Sequence, residues 1–355
     1  MEHQETMMAA VVHGKGDMRY EAVEKPAVQP GSFRLKVEAC AICGSDKRIF
    51  RLGDFRAHYP VIIGHEIAGT VDAVAPGVTA VAVGDRVTVA PGYACGKCRF
   101  CKMGEPNLCS DPYPSMGYTL NGGFAEYLDV PPHIFREGFV NKIPENLSFE
   151  EACLAEIIAC ALNAQHNVNI QKGDTVLIIG AGPAGIIHAH LAKMYGAEKV
   201  TIAQRTQYRL TQAKELFGDV VDDTICGDDE TLEQVYAERN SGRAPDVIFV
   251  CAPSAEAQET ACRMVGPRGR VNFFGGLPAG KNMITIDANR VHYQEYQITG
   301  ASSSRQVDNR LALELLSKHV IDGRKLITKI YPLKDVVEAF HFAEEKNCIK
   351  VVIKP

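Results

Sequence analysis

The segment from Thr175 to Gly300 narrows the possible folds more than any other part of the chain. Short apolar runs, "TVLIIG" (175–180), "KVTIAQ" (199–204), "GDVV" (218–221), "DVIFVCA" (246–252) and "RVNFFGG" (270–276), alternate with helix-like stretches such as "YRLTQAKELF" and "ETLEQVYAERN". Strands apolar on both faces belong in a parallel sheet with helices on each side, so this segment is expected to be a doubly wound α/β domain. "QITGA" (297–301) adds an edge or sixth strand. Directly after the first run, Gly180, Gly182 and Gly185 spell G-x-G-x-x-G, with Pro183 and Ala184 between the last two, and a helical pattern follows. The first glycine permits a tight turn, the second admits a pyrophosphate close to the backbone, and the third lets helix and strand pack closely. In that context the motif predicts a bound dinucleotide.

At the end of the second run a dinucleotide site specific for NAD carries an acid for the ribose hydroxyls. Here Gln204 takes that place, Arg205 follows, and Arg209 lies four residues on. With no carboxylate to repel a 2'-phosphate and cations at hand to pair with it, NADP is favoured over NAD. The alternative is that the arginines are simply exposed and Gln204 holds NAD by hydrogen bonds.

A chain of 355 residues exceeds what one hydrophobic core supports, so a second domain is expected. Residues 8 to 150 are rich in Gly, Pro and short Val/Ile runs, including "FRLKVEACAI", "IAGTVDAV" and "GDRVTVAP", and read as mostly β. "SFEEACLAEIIACALNAQ" then opens a helix with Ser148 as N-cap. The tail carries two more amphipathic stretches, "NRLALELLSKH" and "LKDVVEAFHFAEE", and a closing strand "IKVVIKP". No apolar run approaches the roughly 20 residues of a membrane span, and the opening "MEHQETMMAAVVHGKG" lacks a secretory leader's basic start and apolar stretch. No membrane is therefore expected as a partner, and the cytoplasm is the expected location. A net charge of -5 offers no basic face for nucleic acid.

Twelve cysteines without an export signal point to metal or chemistry rather than to disulfides. Cys95, Cys98, Cys101 and Cys109 stand at C-x2-C-x2-C-x7-C, and four thiolates in one compact loop suit a closed, structural zinc site. An iron-sulfur cluster is the competing reading. Cys43, His65 and Glu66 fall within 24 positions and offer a thiolate, an imidazole and a carboxylate, the mixed set that a catalytic zinc with an open position uses. Cys40 completes C-x-x-C with Cys43, yet it lies in the β-rich half and reads as a small strand residue.

In this order, Cys43-Gly44-Ser45-Asp46, Gly64-His65-Glu66, the four-cysteine lobe, Gly122-Gly123-Phe124-Ala125-Glu126-Tyr127 and the Gly180 to Gly185 turn resemble the zinc-dependent medium-chain dehydrogenases. "CGSD" and the acid in "EEACLAEII" look closest to their sorbitol dehydrogenase and sugar-alcohol branch. The resemblance implies a GroES-like β-rich catalytic domain, residues 1–154 and 296–355, with a structural zinc lobe at about 91–112. A Rossmann coenzyme domain, 155–295, interrupts it. Carried over residue by residue, Cys43 and His65 match catalytic zinc ligands, and Glu66 matches the carboxylate that binds the metal or exchanges with water. Glu156 matches a further acid on the zinc or its water, and Ser45 the hydroxyl that takes the substrate proton. Two zinc ions per chain follow. The implied reaction interconverts a secondary alcohol, a sugar alcohol or its phosphate, and the ketone by hydride transfer with NAD(P), in a homodimer or homotetramer. The alternative is a non-catalytic NADP-binding or redox-sensing protein of the same fold.

Two departures from the family pattern bear on chemistry. Arg48 stands where many relatives carry a histidine as last proton acceptor, and arginine cannot take up a proton. "SDKRIFRLGDFRAHYP" also gathers Lys47, Arg48, Arg51, Arg56 and His58, which are either a solvated charged loop or a grip on a substrate phosphate.

Overall fold

The computed structural model describes residues 5–54, 56–345 and 347–355. Of the opening stretch that lacks a leader's features, Met1–Gln4 lie outside the described residues. The chain divides into two compact units, Met1–Ala159 with Ser304–Pro355, and Cys160–Ser303.

The second unit is built on six strands in the order Asp223–Cys226, Lys199–Gln204, Thr175–Ile179, Val247–Val250, Arg270–Phe273 and Gln297–Gly300. Every pairing is parallel. Numbered along the chain the order is 3-2-1-4-5-6, the doubly wound arrangement, and it reverses direction beside Thr175–Ile179. All residues of the two central strands are buried, as their unbroken apolar runs require. Leu177, Ile248 and Val271 pack with Leu232, Ala261 and Met264 from the covering helices. One expected strand is displaced. "GDVV" is a turn, because the Val220 and Val221 N–H groups both bond back to the Phe217 carbonyl at the end of helix Gln207–Phe217. The third strand is "DTIC", whose β-branched Thr224 and Ile225 pair with Ile202 and Ala203.

In the first unit Asp17–Glu24, Thr6–Gly14 and Val61–Ile62 form one antiparallel sheet. A larger sheet runs Ile327–Pro332, Lys350–Lys354, Phe33–Ala41, Glu66–Val74, Arg86–Val89 and Val140–Lys142, and Tyr127–Val130 also pairs with Phe33–Ala41. The closing strand pairs antiparallel with Phe33–Ala41 through Val352 to Ala41 and Ile353 to Cys40, so both chain ends build one core. Phe124 is fully buried, edge-on to Phe340 at 5.7 Å, and Phe50 meets the same ring at 5.6 Å.

Two local elements differ from what their sequences suggest. The stretch after Ser148 is two helices, Phe149–Ala152 and Ala155–Val168. Ser148 Oγ accepts the Glu151 N–H while the Glu151 carboxylate accepts the Ser148 N–H, a capping box that closes on the single short turn. "SDKRIFRL" is not a loop but part of helix Gly44–Leu52, anchored by buried Ile49 and Phe50. Among the described residues no helix is long and apolar enough to cross a membrane.

Candidate functional site

Helix Gly44–Leu52 starts at Cys43, whose extended backbone makes it the N-cap. Asp46, wholly buried in the first turn, accepts the Cys43 N–H at 2.8 Å through Oδ2. Its Oδ1 accepts the Gly64 N–H at 3.3 Å and lies 3.3 Å from His65 Nδ1, at ion-pair distance though without the alignment of a hydrogen bond. One carboxylate thus ties the turn bearing Cys43 to the turn bearing His65 and Glu66. A third segment closes on them: a Cβ at Gly122 would stand 2.2 Å from the Gly64 carbonyl oxygen, so only glycine permits this approach.

These contacts bring donor atoms of Cys43, His65 and Glu66 within 4.8 Å of one another. Glu66, fully buried, accepts a 2.6 Å bond from Lys350 Nζ through Oε1, while Oε2 has no partner. Burial alone would depress Lys350, but Glu66, then Cys43 and Glu156, raise its pKa above the usual lysine value. Burial likewise opposes charge on His65, yet Tyr118, Asp46 and Cys43 lift it well above its usual range. The site therefore favours positive charge. An orphaned carboxylate oxygen, a thiol and an imidazole in such surroundings fit a divalent cation, and the soft and borderline donors suit zinc. Glu156, buried in the first turn of Ala155–Val168, is felt by Lys350 but is not one of the three clustered donors.

Ser45 Oγ lies 3.3 Å from His65 Nε2 and accepts the Tyr118 hydroxyl at 3.2 Å. The Tyr118 ring stacks on His65 with centroids 4.9 Å apart, and burial pushes its hydroxyl pKa up to about 12. The Arg56 guanidinium stands 4.4 Å from the Tyr118 ring centroid. Both Arg48 and Arg56 bind Asp54, whose carboxyl the Arg56 side chain holds down to about 2. Lys47 donates to the Ala343 carbonyl, Arg51 pairs with Glu344, and His58 is exposed. The basic stretch therefore splits: Arg48 and Arg56 share one acid beside Tyr118, and Lys47 and Arg51 face the C-terminal segment.

Cys95, Cys98, Cys101 and Cys109 form the other group of potential metal donors among the described residues. Sγ separations of 3.5, 3.9 and 4.0 Å bracket the edge of about 3.8 Å expected for a tetrahedron of sulfurs about 2.3 Å from one zinc. The Cys95 and Cys98 N–H groups donate to Cys109 and Cys95 sulfurs, which stabilises thiolates. Backbone bonds to Cys98 lower its pKa to about 5, whereas burial raises Cys101 to about 12, as expected when neighbouring thiols cannot all ionise without a cation between them. A single ion fits four sulfurs this close better than a cluster that spreads its thiolates over several irons.

In the second unit Gly180, with φ 122°, ends the first strand, and Gly182 caps helix Pro183–Met194 with Pro183 in its first turn. A Cβ on Gly185 would lie 1.9 Å from the Gly180 carbonyl oxygen, so helix and strand touch here. Ala184 lies in the same first turn, whose free N–H groups suit a pyrophosphate. Gln204 ends the second strand with its side-chain oxygen accepting the Arg205 N–H at 2.9 Å. Arg205 is exposed, and Arg209 Nη1 comes within 3.8 Å of where a Gly182 Cβ would be.

Asp46, Tyr118 and Lys350 carry no assignment from the sequence. Asp46 had a signal, its place at the third position after an N-cap. Lys350 shows only as one cation in an apolar closing strand, and Tyr118 has none beyond its nearness to Gly122.

Residues 29–144 match the model of the alcohol dehydrogenase GroES-like domain, and 183–318 that of the zinc-binding dehydrogenase domain. Sorbitol dehydrogenase of Bacillus subtilis (strain 168) is 31% identical over 99% of this chain and 98% of its own. D-arabitol-phosphate dehydrogenase of Enterococcus avium is 32% identical over 96% and 95%. Among solved structures, a zinc-binding dehydrogenase of Sinorhizobium meliloti 1021 bound to NADP superposes with TM-score 0.89 at 28% identity, covering 99% of this chain and 100% of that one. A short chain alcohol dehydrogenase of E. coli CFT073 complexed with NADH gives 0.88 at 29%, covering 99% of each.

Proposed function

Since the chain belongs to the zinc-dependent medium-chain dehydrogenases, in their sorbitol dehydrogenase-like branch, we propose that it interconverts a secondary alcohol of a sugar alcohol or sugar-alcohol phosphate and its ketone. The observation that supports this most is the buried trio Cys43, His65 and Glu66 with one carboxylate oxygen left unpartnered. These three would hold the catalytic zinc, with Glu156 near them, and Cys95, Cys98, Cys101 and Cys109 a structural one, giving two ions per chain. When bound, zinc polarises the alcohol oxygen and eases its deprotonation, and the nicotinamide accepts the hydride.

The chain's own residues supply position and proton handling. Asp46 lies against Nδ1 of His65, which leaves Nε2 as the donor for the metal. Lys350 holds one oxygen of Glu66 and frees the other. Ser45 takes the alcohol proton on its oxygen as its own hydroxyl proton passes to water. Arg48, bound to Asp54 and without any acceptor, has no part in passing it on.

NADP is the preferred coenzyme, because the ribose-binding acid is replaced by Gln204, exposed Arg205 follows it, and Arg209 lies beside Gly182 of the glycine turn. Replacing Arg205 and Arg209 together by alanine is expected to raise KM for NADP at least about tenfold, the worth of one or two charge-assisted bonds, with a smaller change for NAD. A higher kcat/KM for NAD than for NADP in the unaltered enzyme contradicts the preference.

Arg48 and Arg56, partly exposed and fixed by Asp54 beside the site, and the arabitol-phosphate relative both favour a phosphorylated substrate. The test is a coenzyme-linked screen of sugar alcohols, their phosphates and simple secondary alcohols with both coenzymes. A polyol phosphate is expected to give the highest kcat/KM; equal values with and without phosphate remove that part, and no turnover of any alcohol or ketone removes the whole reading. The exposed edge strand Gln297–Gly300 suits pairing with a second copy in a homodimer or homotetramer. One cluster of four thiols and the single Cys43 thiol of the other donor group, all free, fit the reducing cytoplasm.

A further inference from the structure

We propose that Tyr118 is a positioning residue whose hydroxyl fixes the direction of the Ser45 O–H, an inference that rests on the roles of Ser45 and His65 proposed above. Tyr118 touches both: its hydroxyl donates to Ser45 Oγ at 3.2 Å and its ring stacks on the His65 imidazole at 28° between planes. The ring is itself held. Arg56 lies over it at 4.4 Å, a cation–π contact, and Arg56 is fixed by two bonds of 2.9 Å to Asp54, whose side chain is 4% exposed. The backbone before and after Tyr118 is equally constrained, since a Cβ at Gly117 or Gly122 would strike the Gly64 carbonyl oxygen at 2.7 or 2.2 Å.

A serine hydroxyl has one proton to give and two lone pairs. Tyr118 fills one lone pair, and the neighbouring His65 Nε2 at 3.3 Å is an acceptor for the serine proton only while that nitrogen is free. Once Nε2 serves the metal, the remaining lone pair is left for the alcohol O–H, and the Ser45 proton leaves to water as that proton arrives. Ser45 is then oriented before substrate arrives, which lowers the reorganisation needed during reaction. No bond is made or broken at Tyr118. A phenylalanine there would keep the stack on His65 and the contact with Arg56 but leave Ser45 free to rotate.

The experiment compares the zinc-loaded enzyme with Tyr118→Phe, Arg56→Met and the double variant. Tyr118→Phe is expected to lower kcat about tenfold with KM within twofold and zinc content unchanged. Arg56→Met is expected to lower kcat about threefold, any loss of its grip on a substrate phosphate being read separately in KM, and the kcat of the double variant should be no lower than that of Tyr118→Phe alone, because the effect of Arg56 on kcat runs through the ring. A readout independent of turnover completes the test. In protein labelled at the tyrosine ring carbon bearing oxygen, the NMR signal missing from Tyr118→Phe is expected to shift in Ser45→Ala, which removes its acceptor. The proposal is overturned if that signal stays put, if Tyr118→Phe keeps the parent kcat, or if zinc content falls in step with kcat. Loss of all turnover in the parent enzyme, with the signal still shifting in Ser45→Ala, leaves the hydrogen bond standing and sinks the assigned reaction instead.

Discussion

Asp46→Ala is expected to weaken retention of the catalytic zinc by about 100-fold, at the upper end for loss of a group that orients metal ligands. The reason is that Asp46 serves both ligand-bearing turns at once, accepting from the Cys43 and Gly64 N–H groups and facing His65 Nδ1. Alanine leaves those buried donors without partners and frees the imidazole to turn. Asp46→Asn keeps the shape and one acceptor oxygen, and a loss nearer tenfold is expected. Zinc content after dialysis against graded chelator measures both, with the four-cysteine site as internal control. Retention by Asp46→Ala equal to the parent's contradicts the role given to this carboxylate.

In protein stripped of its catalytic zinc, Lys350→Met is expected to destabilise the fold by about 3–5 kcal/mol, the cost of leaving a buried carboxylate without its counter-ion. Lys350 is 3% exposed and Glu66 not at all, so water cannot stand in for the missing ammonium. The matched double variant, Glu66→Gln with Lys350→Met, is expected to recover most of the loss, since a neutral amide costs far less to bury. Denaturant unfolding of the three proteins checks this. A Lys350→Met midpoint equal to the parent's, or a double variant no better than the single, means the pair is not the buried charge couple described.

What could be read from the sequence was local and repetitive. The glycine turn and its flanking strand and helix follow one another without interruption from Thr175 to Met194, and the strand alternation that surrounds them is periodic, so pattern alone located them. The four-cysteine cluster was legible for the same reason, with its four thiols between Cys95 and Cys109. Failures came where the tertiary structure decides. Helix Gly44–Leu52 hides under a charged surface with only Ile49 and Phe50 supplying hydrophobic anchorage, so its sequence looks like a loop. "GDVV" looks like a strand because two valines follow a glycine, but helix Gln207–Phe217 draws their amides into its own C-terminal turn. The support of the candidate site was the least visible part. Lys350 meets Glu66 across a separation of 284 residues, and Tyr118 meets Ser45 across 73. No spacing rule reaches that far.

Zinc stoichiometry shows more directly than any rate whether Cys43, His65 and Glu66 hold a metal ion separate from the cysteine lobe. Two zinc ions per chain are expected in the purified protein and one in a folded Cys43→Ser, His65→Ala double variant, the remaining ion being lost when Cys98 and Cys101 are also replaced. A single zinc in the parent protein, or two in the double variant, contradicts that assignment.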